Sequence, residues 1–220
     1  MTDFLSETRT AYDTVAAGYA ETLRGRLAGS PWDRAMLDAF AELVGPAGPV
    51  GDLGCGPGRI TGYLAARGLD VFGVDLSPGM VEVARREHPG LVFEVGSLLG
   101  LGQADASLAG ALVWYSIIHT PPARQPEVFA ELARVLVPGG RVLLAFQVGD
   151  EVRRIERGYG HEGLSLVAYR LRPESVEQWA VAAGFTVESR MVRAPEPPSE
   201  RTPQAYVVVR KGLGSSSARQ

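Results

Sequence analysis

Apolar positions along this chain follow two alternating periods, and this pattern predicts the secondary structure. Short apolar runs typical of buried strands occupy residues 50–54, 69–74, 91–95, 109–116, 141–148, 185–192 and 205–210. Apolar side chains at helical spacing occupy residues 31–44, 59–67, 78–87, 126–137 and 173–183. Ser77 and Pro78 supply a helix N-cap and a first-turn proline. We expect Pro138-Gly139-Gly140 to stop the fourth helix and Gly184 to cap the last.

The order of these elements predicts a doubly wound α/β fold. Strands that alternate with helices form a parallel sheet covered on both faces. The last two strands are separated only by a proline-rich loop at residues 194–203, so we expect them to pair antiparallel. Ligands of such sheets bind at the carboxyl ends of the strands, near the point where the strand order reverses.

Composition fits one soluble domain, which we place at residues 1–211, followed by a disordered tail at 212–220. The chain has 220 residues, 45% of them hydrophobic and 21% charged, with a net charge of −3. Neither this charge nor any basic run favours nucleic acid or an anionic membrane as a partner. The single cysteine excludes an internal disulfide and a cysteine metal cluster, so we expect no metal. Because no signal peptide or spanning segment is evident, we expect a cytoplasmic monomer or homodimer.

A glycine-rich turn is the strongest chemical signal. The segment VGDLGCGPGR, residues 50–59, places Gly54, Gly56 and Gly58 between a strand and a helix. Glycines let the backbone adopt positive φ and let a ligand lie against bare main chain, although a tight turn alone would also use them. Arg59 stands where a dinucleotide-binding fingerprint would have its third glycine, which argues against a dinucleotide oxidoreductase.

Asp75 ends the next strand, 21 residues after Gly54. A carboxylate at this point can accept hydrogen bonds from both hydroxyls of a ribose. The alternative is an acid that only favours the dipole of the helix after Ser77.

These segments resemble the motifs of class I S-adenosylmethionine (SAM) dependent methyltransferases. VGDLGCGPGR is similar to their first motif and GVDLSPGMVEVAR, residues 73–85, to their second-strand motif. The resemblance continues through LVWYSIIHTPP, ELARVLVPGGRVLLAF and RPESVEQWAVAAGF, at residues 112–122, 131–146 and 172–185. It implies a Rossmann-like, seven-stranded sheet, mostly parallel with an antiparallel C-terminal strand. It also implies SAM as cofactor, S-adenosylhomocysteine (SAH) as its product and a small-molecule acceptor.

The resemblance also implies a set of cofactor contacts. Its members surround the methionine end, the ribose and the adenine: Asp52, Gly54, Cys55, Gly56, Asp75, Leu76, Met80, Ser97, Leu98 and Trp114. Ser97 stands where the family usually has an aspartate, so we expect about 1 kcal/mol less affinity for adenine. Cys55 could instead be a nucleophile, but a small buried residue is the expected role.

Three segments are candidates for the acceptor side. After the fourth strand, Tyr115 would orient the acceptor and His119 would act as a general base, or both are simply structural. At residues 149–170, an expected acceptor-side insertion carries Arg153, Arg154, Arg157 and His161, where the arginines either hold an acidic acceptor or form a solvated face. Residues 1–30, with Tyr12 and Tyr19, resemble the family's lid, and Tyr19 would contact the acceptor.

The function predicted from the sequence is methyl transfer from SAM to a small molecule by in-line displacement. A non-catalytic SAM-binding regulator and a quinone-biosynthesis C-methyltransferase are the alternatives. No tetrapeptide typical of amino-methylating DNA enzymes is present, which argues against a nucleic-acid substrate. The sequence leaves open whether oxygen, nitrogen, carbon or sulfur is methylated.

Overall fold

The computed structural model describes residues 4–198 and 200–213, so residues 214–220 of the predicted tail lie outside the described residues. Six α-helices are described: α1 Phe4–Leu23, α2 Pro31–Val44, α3 Arg59–Ala65, α4 Pro78–Glu87, α5 Gln125–Val135 and α6 Pro173–Ala182. The strands are β1 Val50–Leu53, β2 Val71–Asp75, β3 Phe93–Val95, β4 Leu108–Trp114, β5 Leu136–Gln147, β6 Val152–Gly158, β7 His161–Tyr169, β8 Phe185–Arg193 and β9 Gln204–Lys211. Within the described residues, no helix combines the length and the apolar character that a membrane crossing requires.

Seven of the strands form one sheet in the order β3-β2-β1-β4-β5-β9-β8. The pairs from β3 to β5 are all parallel, whereas β9 lies between β5 and β8 and runs antiparallel to both. The predicted fold, including the antiparallel C-terminal strand, is confirmed. The strand order reverses between β1 and β4, so the crevice at their carboxyl ends is the expected ligand site.

Alternate residues of the central strands feed two separate cores. In β4, Ala111 and Val113 pack with α5 and α6, whereas Leu112 and Trp114 pack with α2 and α3. Side chains alternate between the two faces of a strand, so this division places one helical layer on each face. A sheet buried in this way is a rigid platform for the loops at its carboxyl edge.

The predicted element boundaries agree with the structure to within two residues, except around the Pro138-Gly139-Gly140 segment. Helix α5 ends at Val135, and Leu136 already has extended geometry and begins β5. The prediction that these three residues stop the helix was therefore wrong. Leu136 is fully buried and pairs with Leu108 of β4, and the register of this pairing shifts before Gly110 pairs with Arg141. Because Leu136 is buried and paired in the sheet, β5 begins before the three turn residues.

Residues 149–170 form an element that the sequence pattern did not reveal. Strands β6 and β7 pair antiparallel as a two-stranded hairpin separate from the main sheet. The hairpin packs against α1, where Leu164 joins Val15, Ala16 and Ala20 in one apolar cluster. Together, α1 and this hairpin cover the carboxyl edge of the main sheet.

Candidate functional site

The glycine turn after β1 depends on the close approach of a neighbouring strand. Gly54, Gly56 and Gly58 all have positive φ, at 86°, 55° and 80°. A Cβ on Gly54 would lie 2.2 Å from the Cβ of Ser116, just after β4. The Ser116 hydroxyl donates a hydrogen bond of 2.7 Å to the Leu53 carbonyl, which fixes this approach. Only glycine fits at position 54, and the turn leaves main chain facing the crevice.

Asp75, at the end of β2, is held in place by main-chain donors. One carboxylate oxygen accepts from the Gly56 amide at 2.8 Å, and the other accepts from the Ser77 amide at 2.9 Å. Burial is the main cause that raises the pKa of this carboxyl, while the two amides oppose the rise. Each oxygen keeps a second lone pair, so the group can still receive two hydroxyls from a ligand.

Asp52 carries a buried carboxylate with one unused oxygen. Its Oδ2 accepts from the Thr61 hydroxyl at 2.6 Å, whereas Oδ1 is buried and has no hydrogen-bond partner within residues 4–198 and 200–213. Burial raises the pKa of Asp52 to about 7. An unpaired buried acceptor is costly, so this atom is placed to receive a cationic or hydrogen-bonding ligand.

The pKa of Asp52 predicts how stability depends on pH. The folded-state pKa is about 7, above the ordinary aspartate value of 3.8, so the native state binds the proton more tightly. The free energy of unfolding should therefore fall as the pH rises from about 4 to above 7. We expect Asp52→Asn to remove this decline and to raise Tm at pH 8 by roughly 5 °C. Thermal unfolding from pH 5 to pH 8 measures the effect, with the exposed Asp70→Asn as control. Parallel curves for Asp52→Asn and the wild type would contradict the prediction.

Two adjoining cavities open at the carboxyl ends of β1 and β4. The first, which we call the apolar cavity, extends toward β2 and contains most of the predicted cofactor contacts, namely Gly54, Gly56, Asp75, Leu76, Met80, Ser97, Leu98 and Trp114. No arginine or lysine of the described residues lines it. The Ser97 hydroxyl already accepts from the Leu99 amide at 3.2 Å.

The second cavity, which we call the arginine cavity, lies under α1 and the hairpin and has a volume of about 750 Å³. Asp52 and Cys55 line this cavity, whereas Gly54, Gly56 and Trp114 line both. Its size suits the end of one ligand together with a second small molecule. Its arginines are Arg26, Arg59, Arg153, Arg157, Arg170 and Arg201.

His119 connects three elements around both cavities. Its Nδ1 lies 2.9 Å from the Val167 carbonyl in β7, and its Nε2 lies 2.7 Å from the Tyr12 hydroxyl in α1. A carbonyl only accepts, so Nδ1 carries the proton and Nε2 accepts from Tyr12. Burial lowers the pKa of His119 to about 4, so the imidazole is neutral at pH 7. In this arrangement the Nε2 lone pair is used by Tyr12, and His119 holds α1 against the hairpin.

Tyr12→Phe tests this connection. The change leaves Nε2 without its donor, and a lost hydrogen bond to a buried group costs about 1–2 kcal/mol. We expect Tm to fall by roughly 3–6 °C and α1 to be cleaved faster in limited proteolysis. Tyr63→Phe is the control, because it removes a hydroxyl that bonds Asp38 on the surface. Equal proteolysis of the two variants would show that the hydroxyl does not hold α1.

Of the other predicted site residues, two tyrosines lie at the cavities and the cysteine lies in a buried apolar cluster. Tyr115 lines both cavities with an unusual φ of 55°, and Tyr19 packs on Tyr159 with ring centroids 4.7 Å apart. The Cys55 thiol packs with Val81, Ala84 and Phe93, and burial raises its pKa well above the usual value. A buried thiol of raised pKa is a poor nucleophile.

The alternation of β6 divides the predicted arginines between two faces. Arg153 and Arg157 line the arginine cavity together with Ile155 between them, whereas Arg154 lies on the other face. His161 is exposed at the hairpin tip and lines neither cavity.

Two residues missed in the sequence contribute to the site, one by lining it and one by holding α1 over it. Arg59 lines the arginine cavity, and its buried Nη1 has no hydrogen-bond partner within the described part of the chain. Asp13 in α1 accepts from the Ser77 hydroxyl at 2.5 Å and from the Gly79 amide at 2.9 Å, which fixes α1 on α4. The position of Arg59 directly after the glycine turn was a usable signal. The contact of Asp13 spans more than 60 residues and left no local pattern.

Comparisons with known proteins point in one direction. Residues 50–140 match the family model of a methyltransferase domain. The chain is 33% identical over 189 residues to trans-aconitate 2-methyltransferase from Methylobacterium nodulans, and the match covers 71% of this chain and 70% of that protein. It is 36% identical over 114 residues to demethylmenaquinone methyltransferase from Beutenbergia cavernae, and this match covers 52% of this chain and 46% of that protein.

The fold has solved counterparts as well. A SAM-dependent methyltransferase from Methanosarcina mazei superimposes with a TM-score of 0.66 over 75% of this chain and 92% of that chain, at 19% identity. At this identity the likeness supports the fold only.

Proposed function

Because this chain belongs to the SAM-dependent methyltransferases, we propose that it binds SAM across the two cavities and methylates a small molecule held in the arginine cavity. The observation that carries the proposal is the Asp75 carboxylate beside the glycine turn. Both its oxygens are oriented by main-chain amides and remain able to accept from a ribose. SAM supplies a methyl group already activated by the positive sulfur.

The residues present fit this cofactor at both of its ends. The apolar cavity offers Leu76, Met80 and Leu98 to an adenine ring, with the Ser97 hydroxyl at its edge. In the arginine cavity, the unpartnered Asp52 Oδ1 suits an ammonium and the unpartnered Arg59 Nη1 suits a carboxylate. These two groups would receive the methionine end, which carries one charge of each sign.

The chain's own contribution to the reaction is alignment and exclusion of water. Helix α1 and the hairpin cover both cavities, so they serve as the proposed lid. Tyr115, at the end of β4, is proposed to orient the acceptor. We assign His119 to positioning, because its Nε2 already accepts from Tyr12. A role as general base would require Tyr12 to move away.

The proposal extends to the setting of the protein. The acceptor is a small molecule rather than a nucleic acid or a membrane component, and the site lies within one chain, which is compatible with a monomer or a homodimer. We also propose a cytoplasmic location, where SAM is supplied. A non-catalytic SAM-binding regulator has no observation in its favour, since the arginine cavity leaves room for an acceptor.

Thermal unfolding with SAM, SAH and NAD tests cofactor binding. At about 100 times Kd, a ligand stabilises the native state by about 2.7 kcal/mol, which raises Tm by roughly 5–10 °C. We expect this shift with SAM and SAH and none with NAD. A shift with NAD alone would overturn the proposal. Conversion of SAM to SAH that depends on an added acceptor would exclude the regulator.

A further inference from the structure

The two cavities differ sharply in charge. Asp75 is the only charged side chain of the described residues that lines the apolar cavity. Six arginines line the arginine cavity, whereas the acids that line it are three, Asp33, Asp52 and Glu200. With all nine groups ionised the excess is three positive charges, because six minus three is three. The excess is confined to the side of the crevice that the adenosyl group does not occupy.

One acid of this cavity pairs with one of its arginines. Glu200 forms a two-point ion pair with Arg193, at 2.6 Å and 2.7 Å, and a longer one with Arg26, at 3.3 Å; Arg26 lines the cavity and Arg193 does not. Asp33 accepts from the buried Tyr206 hydroxyl, and Asp52 keeps the unpartnered Oδ1 described above. Among the described residues, neither Arg153 nor Arg157 forms an ion pair with an acid.

SAM itself does not remove the excess. Its methionine end is a zwitterion, so Asp52 and Arg59 would each meet one opposite charge and the balance of the cavity would stay unchanged. The sulfonium adds a further positive charge next to the cavity. The charge of Arg153 and Arg157 is therefore available to the other reactant.

The remaining arginines are arranged to meet a ligand. Arg153 and Arg157 lie on the inward face of β6, and Arg153 Nη1 donates a long hydrogen bond of 3.4 Å to the Gln147 side chain. Arg170 pairs with Glu151 through Nη1, but its Nε is buried and has no hydrogen-bond partner among residues 4–198 and 200–213. Guanidinium groups bind carboxylates and phosphates through paired N–H donors.

The arginines of this cavity indicate the class of substrate. We infer that the methyl acceptor is a small organic polyanion, bearing two or more carboxylate or phosphate groups, held by Arg153, Arg157 and Arg170. This inference rests on the proposed function of the site. Arg153 and Arg157 are exposed to solvent, so an uncharged or quinone-like acceptor that covered them would remove their hydration without supplying an opposite charge.

The test measures binding of probe anions to the SAH-saturated protein at constant ionic strength. The probes are tricarballylate, its neutral trimethyl ester and inorganic pyrophosphate. Their binding is measured by the shift in Tm and by titration calorimetry. We expect tricarballylate or pyrophosphate to bind and the ester to give no shift. Binding of tricarballylate alone assigns carboxylate groups, and binding of pyrophosphate alone assigns phosphate groups.

Charge variants identify the residues. We expect Arg153→Gln with Arg157→Gln, combined in one protein, to weaken binding of the anion at least about 10-fold and to leave the SAH affinity unchanged. Each single variant, Arg153→Gln and Arg157→Gln, should also weaken binding, and Arg154→Gln is their matched control, because it removes one charge from the other face of the same strand. Equal affinity of the ester and the anion, no binding of either anion, or equal loss in the control would overturn the inference. Failure of the wild-type protein to bind SAH would instead overturn the proposed function.

Discussion

Replacing Gly54 with alanine should abolish cofactor binding and destabilise the fold, while the same change at Gly68 should be mild. The two glycines have nearly the same φ, 86° and 85°. Their surroundings differ, because a Cβ at Gly54 would lie 2.2 Å from Ser116 Cβ, whereas a Cβ at Gly68 would meet nothing within 4 Å. The comparison therefore separates the steric contact from backbone strain.

Backbone strain alone costs about 1–2 kcal/mol at either position. At Gly54, the overlap adds about 1–3 kcal/mol, since the end of β4 must move away from the turn. We expect Tm to fall by roughly 10 °C for Gly54→Ala and by roughly 2–5 °C for Gly68→Ala. Calorimetric titration with SAH should detect no binding to the first variant and wild-type affinity for the second. Similar SAH affinity in both variants would mean that the turn does not form the cofactor site.

Asp75→Asn should weaken SAH binding at least about 100-fold. The amide has one acceptor oxygen where the carboxylate has two, so its NH2 group would face either the Gly56 or the Ser77 amide. The remaining oxygen is uncharged, and each hydrogen bond to a charged group contributes about 1.5–3 kcal/mol. Two ribose hydroxyls therefore account for the expected loss.

Asp70→Asn is the matched control for this prediction. It removes one negative charge five residues earlier, at an exposed position before β2. We expect wild-type SAH affinity for Asp70→Asn in the same titration. If Asp75→Asn also bound SAH with less than a tenfold loss, the ribose assignment would be wrong.

Local sequence signals were sufficient for the main sheet and the cofactor side. Residues 31–44 form a helix as predicted, and Ser77 caps α4 by accepting from the Met80 amide at 3.0 Å. The period of apolar residues and the turn chemistry act within a few residues, so a single sequence displays them. Gly54 and Asp75 lie 21 residues apart, but Gly54 directly follows β1 and Asp75 ends β2, so the order of the strands predicted that they lie close together.

The acceptor side depended on contacts between distant segments. The hairpin formed by β6 and β7 has charged residues on both faces of β6, so it lacks the apolar alternation that predicts a strand. His119 was predicted as a possible base from its residue type. Its neighbours Tyr12 and Val167, which determine its tautomer, lie 107 and 48 residues away, and burial lowers its pKa. Such surroundings exist only after the chain has folded.

The positive arginine cavity also bears on product inhibition. Methyl transfer converts a cationic cofactor into a neutral one, so the unmatched arginines repel the reactant form and leave the product form unaffected. In the absence of an acceptor, SAH should therefore bind more tightly than SAM, and added salt should narrow the difference by screening. A bound polyanion would reverse this preference. The enzyme would then bind SAM more tightly when its second substrate is present than in its absence.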